Sequence, residues 1–335
     1  MVRLPLRRRS RLTQMTPLLE VSDLVRHFSV ARSSFRGPQQ AIRAVNGLSF
    51  HVDKGETLSI VGESGCGKST VGKAILRLVQ PTSGELRFDG KSYIDAPARE
   101  MKAVRRRLQA VFQDPHSSMN PRMRVGETIA EPLYNFELAK NRAEATEKVR
   151  DLLVQVGLPS DAGDRYPHQF SGGQRQRICS ARALAPGADL IICDEAVSAL
   201  DVSVKAQIVN LLSDLQRRTG VAFLFISHDL AIVEHLTHRI AVMYLGKIVE
   251  ISDRRQLFLR AHHPYTQALL SAVLEPRLNA HRKRIVLKGD VPNPVHPPSG
   301  CRFHTRCPAA FERCRTEEPL LRSIEGSHLS ACHLS

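Results

Sequence analysis

Gly62-Glu63-Ser64-Gly65-Cys66-Gly67-Lys68-Ser69 comes directly after the short apolar run Thr57 to Val61 and is followed by Thr70. The stretch fits G-x-x-x-x-G-K-[ST], and its setting matters as much as its letters. Beyond it Val71, Ala74, Ile75, Leu78 and Val79 recur at i, i+3, i+4, i+7 and i+8, which predicts a helix with one buried stripe. A strand, a glycine-rich turn and a helix start therefore follow one another. The glycines let backbone N–H groups turn inward around phosphates, and the helix N-terminus adds a favourable dipole. Lys68 suits the β- and γ-phosphates of a nucleotide, and the Ser69 hydroxyl suits Mg²⁺.

Working outward, Leu48 to Val52 alternates apolar and polar residues and leads into turn chemistry at Asp53-Lys54-Gly55-Glu56. Leu190 to Cys193 and Val221 to Ile226 are continuous apolar runs, as strands covered on both faces require. Between them Val204, Ile208, Leu211, Leu212 and Leu215 mark a crossover helix. Ile240 to Tyr244 and Lys247 to Ile251 flank Leu245-Gly246 and predict a hairpin. Residues 115–182 read as mostly helical, with Val149, Leu152, Leu153 and Val156 on one face. This alternation predicts an α/β fold with a mainly parallel sheet, and no repeat of ~20–50 residues interrupts it.

Composition bounds what such a fold can do. The chain has 335 residues, 42% of them hydrophobic, enough for one large domain and a smaller appendage. Gly (20) and Pro (19) are near average usage, which excludes collagen-like and low-complexity chains. The longest purely apolar run, Val221 to Ile226, is far short of the ~18 residues of a membrane span. A membrane role would have to come through a partner. The net charge of +15 implies acidic company: nucleotide, nucleic acid, anionic lipid or an acidic protein face. Seven cysteines, four of them in the last 35 residues, do not suit a secreted disulfide scaffold. Arg7, Arg8, Arg9 and Arg11 are not followed by an apolar h-region, so residues 1–15 read as a disordered or misassigned leader, with Met1 or Met15 as the start. A basic anchor for anionic lipid is the rival reading.

Asp194-Glu195 closes the strand Leu190 to Cys193, at the end where ligands of parallel sheets sit. Asp194 suits Mg²⁺, and Glu195 is placed to act as general base on an attacking water. Phe170-Ser171-Gly172-Gly173-Gln174 opens another helix and offers a second anion site. One domain with two such motifs and a single nucleotide suggests that the second serves a partner's nucleotide. With Gln113, the run Ser198-Ala199-Leu200-Asp201 and His228 after a strand, the chain resembles the ATP-binding domain of ABC transporters from about residue 17 to 255.

The resemblance implies a P-loop NTPase (RecA-like) core, an antiparallel β subdomain and a helical subdomain at about 115–182, all within residues 16–255. It implies a head-to-tail sandwich in which Gly62 to Thr70 of one subunit and Ser171 to Gln174 of the other hold each ATP. Gln113 would sense Mg²⁺ and water, His228 would contact the γ-phosphate, and Asp201 would organise the interface. Phe28 matches the aromatic that stacks on adenine, or is a core residue at a strand end, before the insert-like stretch Val30 to Ala41. One departure is Ala196, where family members commonly carry proline; its absence could loosen Glu195 and alter hydrolysis slightly.

Val111 to Pro121 and His263-Pro264-Tyr265-Thr266 look like the oligopeptide/dipeptide permease branch, as does Gly300-Cys301 to Leu334. Pro264 is also an ordinary helix-start signal. Residues 256–335, with their Pro-rich stretch Val291 to Pro298, read as a C-terminal extension. Cys301, Cys307, Cys314 and Cys332 are separated by five, six and 17 residues, unlike zinc-ribbon pairs. The branch implies a [4Fe-4S] cluster there; zinc and unligated thiols stay open, with His304 and His333 as alternative ligands or polar loop residues. Because no cysteine of the four lies near the ATP motifs in sequence, the role of such a centre is expected to be structural or redox-responsive and remote from hydrolysis.

The expected partners are a second ATP-binding subunit, a close paralogue, two transmembrane permease subunits and an extracytoplasmic peptide-binding protein. The place of work is the cytoplasmic face of the bacterial inner membrane. Nickel and glutathione carriers share this ATPase type. Nucleic-acid work is disfavoured: one motif set is present, only 57 residues separate Gln113 from Ser171, and no basic stretch is interleaved with aromatics.

Overall fold

Period-two alternation inside continuous apolar strands sorts side chains to both faces of one sheet. The computed structural model describes residues 16–30, 40–273 and 285–335. The leader 1–15 and the stretch 31–39 of Val30 to Ala41 lie outside the described residues. The chain begins with β1 (Leu19–Ser29), β2 (Ala41–Val52) and β3 (Thr57–Val61), followed by α1 (Lys68–Ile75). Next come β4 (Ser83–Phe88), β5 (Lys91–Ser92), α2 (Ala98–Arg107) and β6 (Leu108–Val111). Helices α3 (Val125–Asn135), α4 (Arg142–Gln155) and α5 (Gly172–Leu184) lead to β7 (Leu190–Asp194). Then α6 (Val202–Thr219), β8 (Ala222–Ser227), α7 (Leu230–Leu236), β9 (Arg239–Tyr244) and β10 (Lys247–Asp253) complete the region up to 255. Beyond it are α8 (Arg254–Leu259), α9 (Pro264–Ser271), α10 (Glu312–Thr316), β11 (Arg322–Glu325) and β12 (His328–Ser330).

The large sheet has the order β11-β12-β10-β9-β3-β8-β7-β6, and β9, β3, β8, β7 and β6 run parallel. A four-stranded antiparallel sheet, β2-β1-β4-β5, stands beside it. Strand β8 shows how one strand serves two cores. Phe223 and Phe225 pack with α6, α7 and the α3–α5 helices. Ala222, Leu224 and Ile226 pack with α1 and the antiparallel sheet. Strands β7 and β9 divide their residues the same way. Being apolar on both faces is what made these runs legible as parallel strands. None of the described helices is long and apolar enough to cross a membrane.

The expected α/β class, the hairpin at Leu245-Gly246 and the crossover helix are all found, and Leu245 (φ 41°) and Gly246 (φ 79°) both adopt the left-handed turn. The helix after the phosphate loop is shorter than its apolar stripe. It stops at Ile75 because Arg77 turns left-handed (φ 51°) and its guanidinium donates to Tyr93 O and Ala96 O at 3.0 and 2.8 Å. Strands β11 and β12 were not expected. They continue the large sheet through the pairs Glu250↔Ser330 and Ile251↔Leu329.

Candidate functional site

The C-terminal ends of β3, β7 and β8 deliver Gly62, Asp194 and Ser227 to one crest, where a parallel sheet leaves room for a ligand. The loop leaving β3 is closely approached by neighbouring backbone. A Cβ on Gly62 would lie 2.2 Å from Met243 O, and one on Gly67 (φ 107°) would lie 2.0 Å from Ala44 O. No residue with a side chain fits either place. Gly67 is the N-cap of α1, so the first amides of that helix face the loop's interior. The hairpin turn also reaches in: Gly246 N–H donates to Cys66 O at 2.9 Å.

Lys68 is buried at 4% exposure, and its Nζ donates to Gly62 O at 2.8 Å and Glu63 O at 2.9 Å. Ser69 Oγ donates to Asp194 Oδ1 at 2.8 Å, bringing two residues 125 apart in sequence into one pair. Burial pushes the Asp194 carboxyl up; the Ser69 hydrogen bond and Lys73 oppose this, and the charge of Glu195 adds to it. Glu195 itself takes a left-handed φ of 50°. Its N–H donates to Ile226 O at 2.9 Å, and its carbonyl accepts from Ser198 N–H at 3.0 Å and Ser198 Oγ at 2.9 Å. Such a backbone costs about 1–3 kcal/mol and persists only when its surroundings hold it. These three bonds hold it although Ala196 stands where proline is common. Glu195 Oε1 lies 3.2 Å from His228 Nδ1, so the carboxylate is oriented by the residue that follows β8.

A cavity of about 470 Å³ opens over this crest. Ser64 to Thr70, Gln113 and Glu195 line one part; Phe28, Ile42, Arg43, Ala44, Leu245, Gly246 and Pro294 line the rest. The site is thus polar with a cation at one end and partly apolar at the other, the form expected for a triphosphate joined to a planar base. Phe28 is half-buried here, with the Arg26 guanidinium 4.4 Å above its ring. Ser69, hydrogen-bonded to Asp194, and Gln113 on the cavity wall supply oxygen donors, a hard set that fits Mg²⁺.

Ser171 to Gln174 and Asp201 do not line this cavity. Ser171 caps α5: its Oγ accepts Gln174 N–H at 3.3 Å, while Gln174 Oε1 accepts Ser171 N–H at 3.0 Å. Gly172 and Gly173 lie against Leu200 and Val204, at the start of α6. Asp201 caps α6 by accepting Val204 N–H at 2.9 Å. The two motifs therefore lie together outside the cavity, with Ser171 and Asp201 exposed and Gly173 buried.

The extension reaches the site. Arg306 grips both carboxylate oxygens of Glu63, at 2.7 and 3.1 Å, and Tyr265 Oη accepts Glu63 N–H at 2.8 Å. Pro294 O accepts Arg43 N–H at 3.2 Å on the cavity rim. Sequence reasoning missed Arg306, Tyr265 and Pro294, since partners 243 and 202 residues apart leave no local signal.

The four-cysteine metal centre needs correction. Burial, and after it the Cys314, Cys332 and Cys307 thiols, push Cys301 up to about 11. Yet among the described residues no group of three or more His, Cys, Asp or Glu is placed to hold a metal ion. All seven cysteines are free. The [4Fe-4S] reading of Cys301, Cys307, Cys314 and Cys332 is therefore not supported. The expectation came from the resemblance to the permease branch, and the segment has no need of a metal to hold it. It instead borrows the main core: Phe303 is buried among Tyr244 and Tyr265, and β12 pairs with β10.

Comparison with known proteins adds to this geometry. Residues 45–198 match the family described as ABC transporter, and residues 249–314 match the oligopeptide/dipeptide transporter C-terminal region. The chain is 52% identical, over 95% of its length and 90% of the relative's, to y4tS of Sinorhizobium fredii, described as a probable peptide ABC transporter ATP-binding protein. It is 49% identical to the oligopeptide transport ATP-binding protein AppF of Bacillus subtilis, covering 95% of this chain and 97% of that one. Among solved structures, the ATP-binding cassette MJ0796, a dimer in a post-hydrolysis state with ADP and Pi, aligns with a TM-score of 0.63 at 27% identity. That match covers 71% of this chain and 99% of the other. The protein cbiO1 of Clostridium perfringens aligns with a TM-score of 0.62 at 25% identity, covering 73% and 91%.

Proposed function

Because the chain belongs to the ABC transporter ATP-binding proteins, in their peptide and oligopeptide branch, we propose that it hydrolyses ATP to energise peptide import through partner permease subunits. The observation that carries this reading is the cavity lined by Lys68, Ser69 and Glu195, with Asp194 hydrogen-bonded to Ser69 and His228 to Glu195 behind that lining.

The Lys68 ammonium and the loop amides neutralise and orient the phosphates. Mg²⁺, held by Ser69, Asp194 and Gln113, would supply charge neutralisation between phosphate oxygens. Glu195 accepts a proton from the attacking water as its oxygen bonds to the γ-phosphorus; the bond to the β–γ bridging oxygen breaks, and ADP and phosphate leave. His228 keeps the Glu195 carboxylate aimed and faces the γ-phosphate side. Phe28 offers its ring to adenine. Ser171 to Gln174 and Asp201 serve the nucleotide of a second ATP-binding subunit, a paralogue, in a head-to-tail pair. Support comes from their standing away from their own cavity and from the likeness to a dimeric cassette.

The transported molecule is a di- or oligopeptide, taken up through two transmembrane subunits and delivered by an extracytoplasmic binding protein. The chain works at the cytoplasmic face of the inner membrane.

The test is Glu195→Gln. The parent should hydrolyse Mg²⁺·ATP, and the variant should bind it, hydrolyse about 10²–10⁴-fold more slowly, and trap an ATP-dependent dimer with its partner by light scattering. Hydrolysis at the parent rate would refute the general base, and a mass indifferent to ATP would refute the paired site. Peptide uptake unchanged in cells lacking the chain would refute the transport role.

A further inference from the structure

We propose that the C-terminal extension positions the phosphate loop, with Arg306 and Tyr265 acting through Glu63 to set the loop's affinity for Mg²⁺·ATP. The inference deepens the ATP-binding reading above and rests on it.

One peptide plane carries the argument. The carbonyl of Gly62 accepts the Lys68 ammonium at 2.8 Å, and the N–H of the same peptide, that of Glu63, donates to Tyr265 Oη at 2.8 Å. A peptide unit is planar, and its C=O and N–H point in opposite directions. Fixing the N–H on Tyr265 therefore fixes the seat of the Lys68 amine. Tyr265 is itself immobile. Its ring is fully buried, with centroids 4.7 Å from Tyr244 and 5.3 Å from Phe303. Tyr244 ends β9, the strand paired with β3, and β3 delivers the loop. The phenol thus transmits the position of the sheet to the loop.

Arg306 works on the side chain of the same residue. Glu63 is a carboxylate on a loop that must receive a polyanion, and unpaired it would repel that ligand. Both of its oxygens are occupied by the Arg306 fork, and the Arg306 side chain is only 8% exposed. A partly buried bidentate pair fixes direction as well as charge, which a fully exposed ion pair does not. The Arg306 N–H donates to Phe303 O at 3.0 Å, so the fork starts from the aromatic cluster that holds Tyr265. Beside it, the Arg302 guanidinium donates to Leu245 O on the hairpin turn. The adjacent Gly246 N–H in turn donates to Cys66 O of the phosphate loop. Two arginines of one short segment therefore reach both sides of the loop.

Binding of Mg²⁺·ATP to the full chain, measured by calorimetry in a Glu195→Gln background, tests the proposal. Arg306→Ala should weaken binding by about tenfold, while removing the stranded carboxylate as well, in Glu63→Gln/Arg306→Ala, should recover part of that loss. Arg306→Lys should fall between parent and Arg306→Ala, because it restores charge without the fork. Tyr265→Phe, which keeps the ring, should weaken binding a few-fold, with kcat at saturating ATP in the Glu195-containing protein nearly unchanged. If Arg306→Ala and Tyr265→Phe bind as the parent does, or lose only thermal stability, the extension merely packs on the domain and the proposal falls. A parent that binds no Mg²⁺·ATP overturns the ATP-binding reading and this proposal with it. The two failures are separated by the parent titration alone.

Discussion

The chain presents two glycine-bearing helix starts, Gly62 to Ser69 running into α1 and Ser171 to Gln174 opening α5, and they are built differently. The first is enclosed: neighbouring backbone presses on Gly62 and Gly67, Lys68 is buried, and a carboxylate from another strand meets Ser69. The second ties Gln174 N–H and Ser171 N–H into a Ser171–Gln174 capping box and lies outside the cavity, with Ser171 exposed. Both offer a helix N-terminus to an anion. What differs is whether the other components of a site are already present. In the first they are supplied by the same chain; in the second no such components stand beside the motif among the described residues, as the proposed pairing with a second subunit requires.

The largest test of that contrast is Lys68→Ala. It leaves Gly62 O and Glu63 O without their amine and removes the cation of the enclosed loop, so affinity for Mg²⁺·ATP should fall by ~100-fold or more in equilibrium titration. If it does not, the first start is no more a site than the second. Ser171→Arg sharpens the difference from the other side. Hydrolysis by the paired subunits should drop by about 100-fold, while one chain's ATP affinity stays within about twofold, since Ser171 is outside its own cavity. An equal loss of single-chain binding would break the comparison.

A third test uses pH, because only the enclosed start is braced from α9. His263 caps α9, its Nδ1 accepting Tyr265 N–H at 3.1 Å, and burial pushes its imidazole down to about 4 from 6.5. A depressed folded value means that the neutral ring is favoured in the fold. Its stabilisation is complete above pH 6.5 and is lost as pH falls towards 4. About 2 kcal/mol should be gone by pH 5, read as a lower thermal midpoint that His263→Asn, which can still cap, would flatten. An unchanged slope in that variant would remove His263 from the account. The smallest effect expected is from Phe28→Ala: roughly tenfold weaker ATP binding and reduced preference for ATP over GTP, as loss of one stacked base implies. No change in either would return Phe28 to the core of β1.

How legible all this was depended on how local each signal is. The phosphate loop could be read because its glycines, lysine and serine are contiguous, and β7 and β8 because burial on both faces leaves no polar alternation. The end of α1 could not, since Arg77 is turned by carbonyls of Tyr93 and Ala96. The pairing of β12 with β10, and the grip of Arg306 on Glu63, depend on residues brought together only by the fold. The four cysteines were not legible as a centre either: the resemblance suggested one, whereas a buried phenylalanine and a strand pairing hold the segment.

That strand pairing bears on how the chain avoids sticking to itself. Strand β10 is buried along its middle five residues, Ile248 to Ser252, and it would terminate the large sheet without β12. Glu250, fully buried, accepts His262 N–H at 2.7 Å and His263 N–H at 3.1 Å, and lies 2.7 Å from His328 Nε2. A chain cut at the composition shift near Arg254 would therefore expose an apolar edge with open N–H and C=O groups, ready to pair with another molecule, and would strand a carboxylate inside. Because the closing contact spans 78 residues, loop-closure entropy makes it a late event in folding. Until it forms, the newly made ATPase carries an aggregation-prone margin, so the extension acts as the molecule's own guard against association before it contributes to ATP binding.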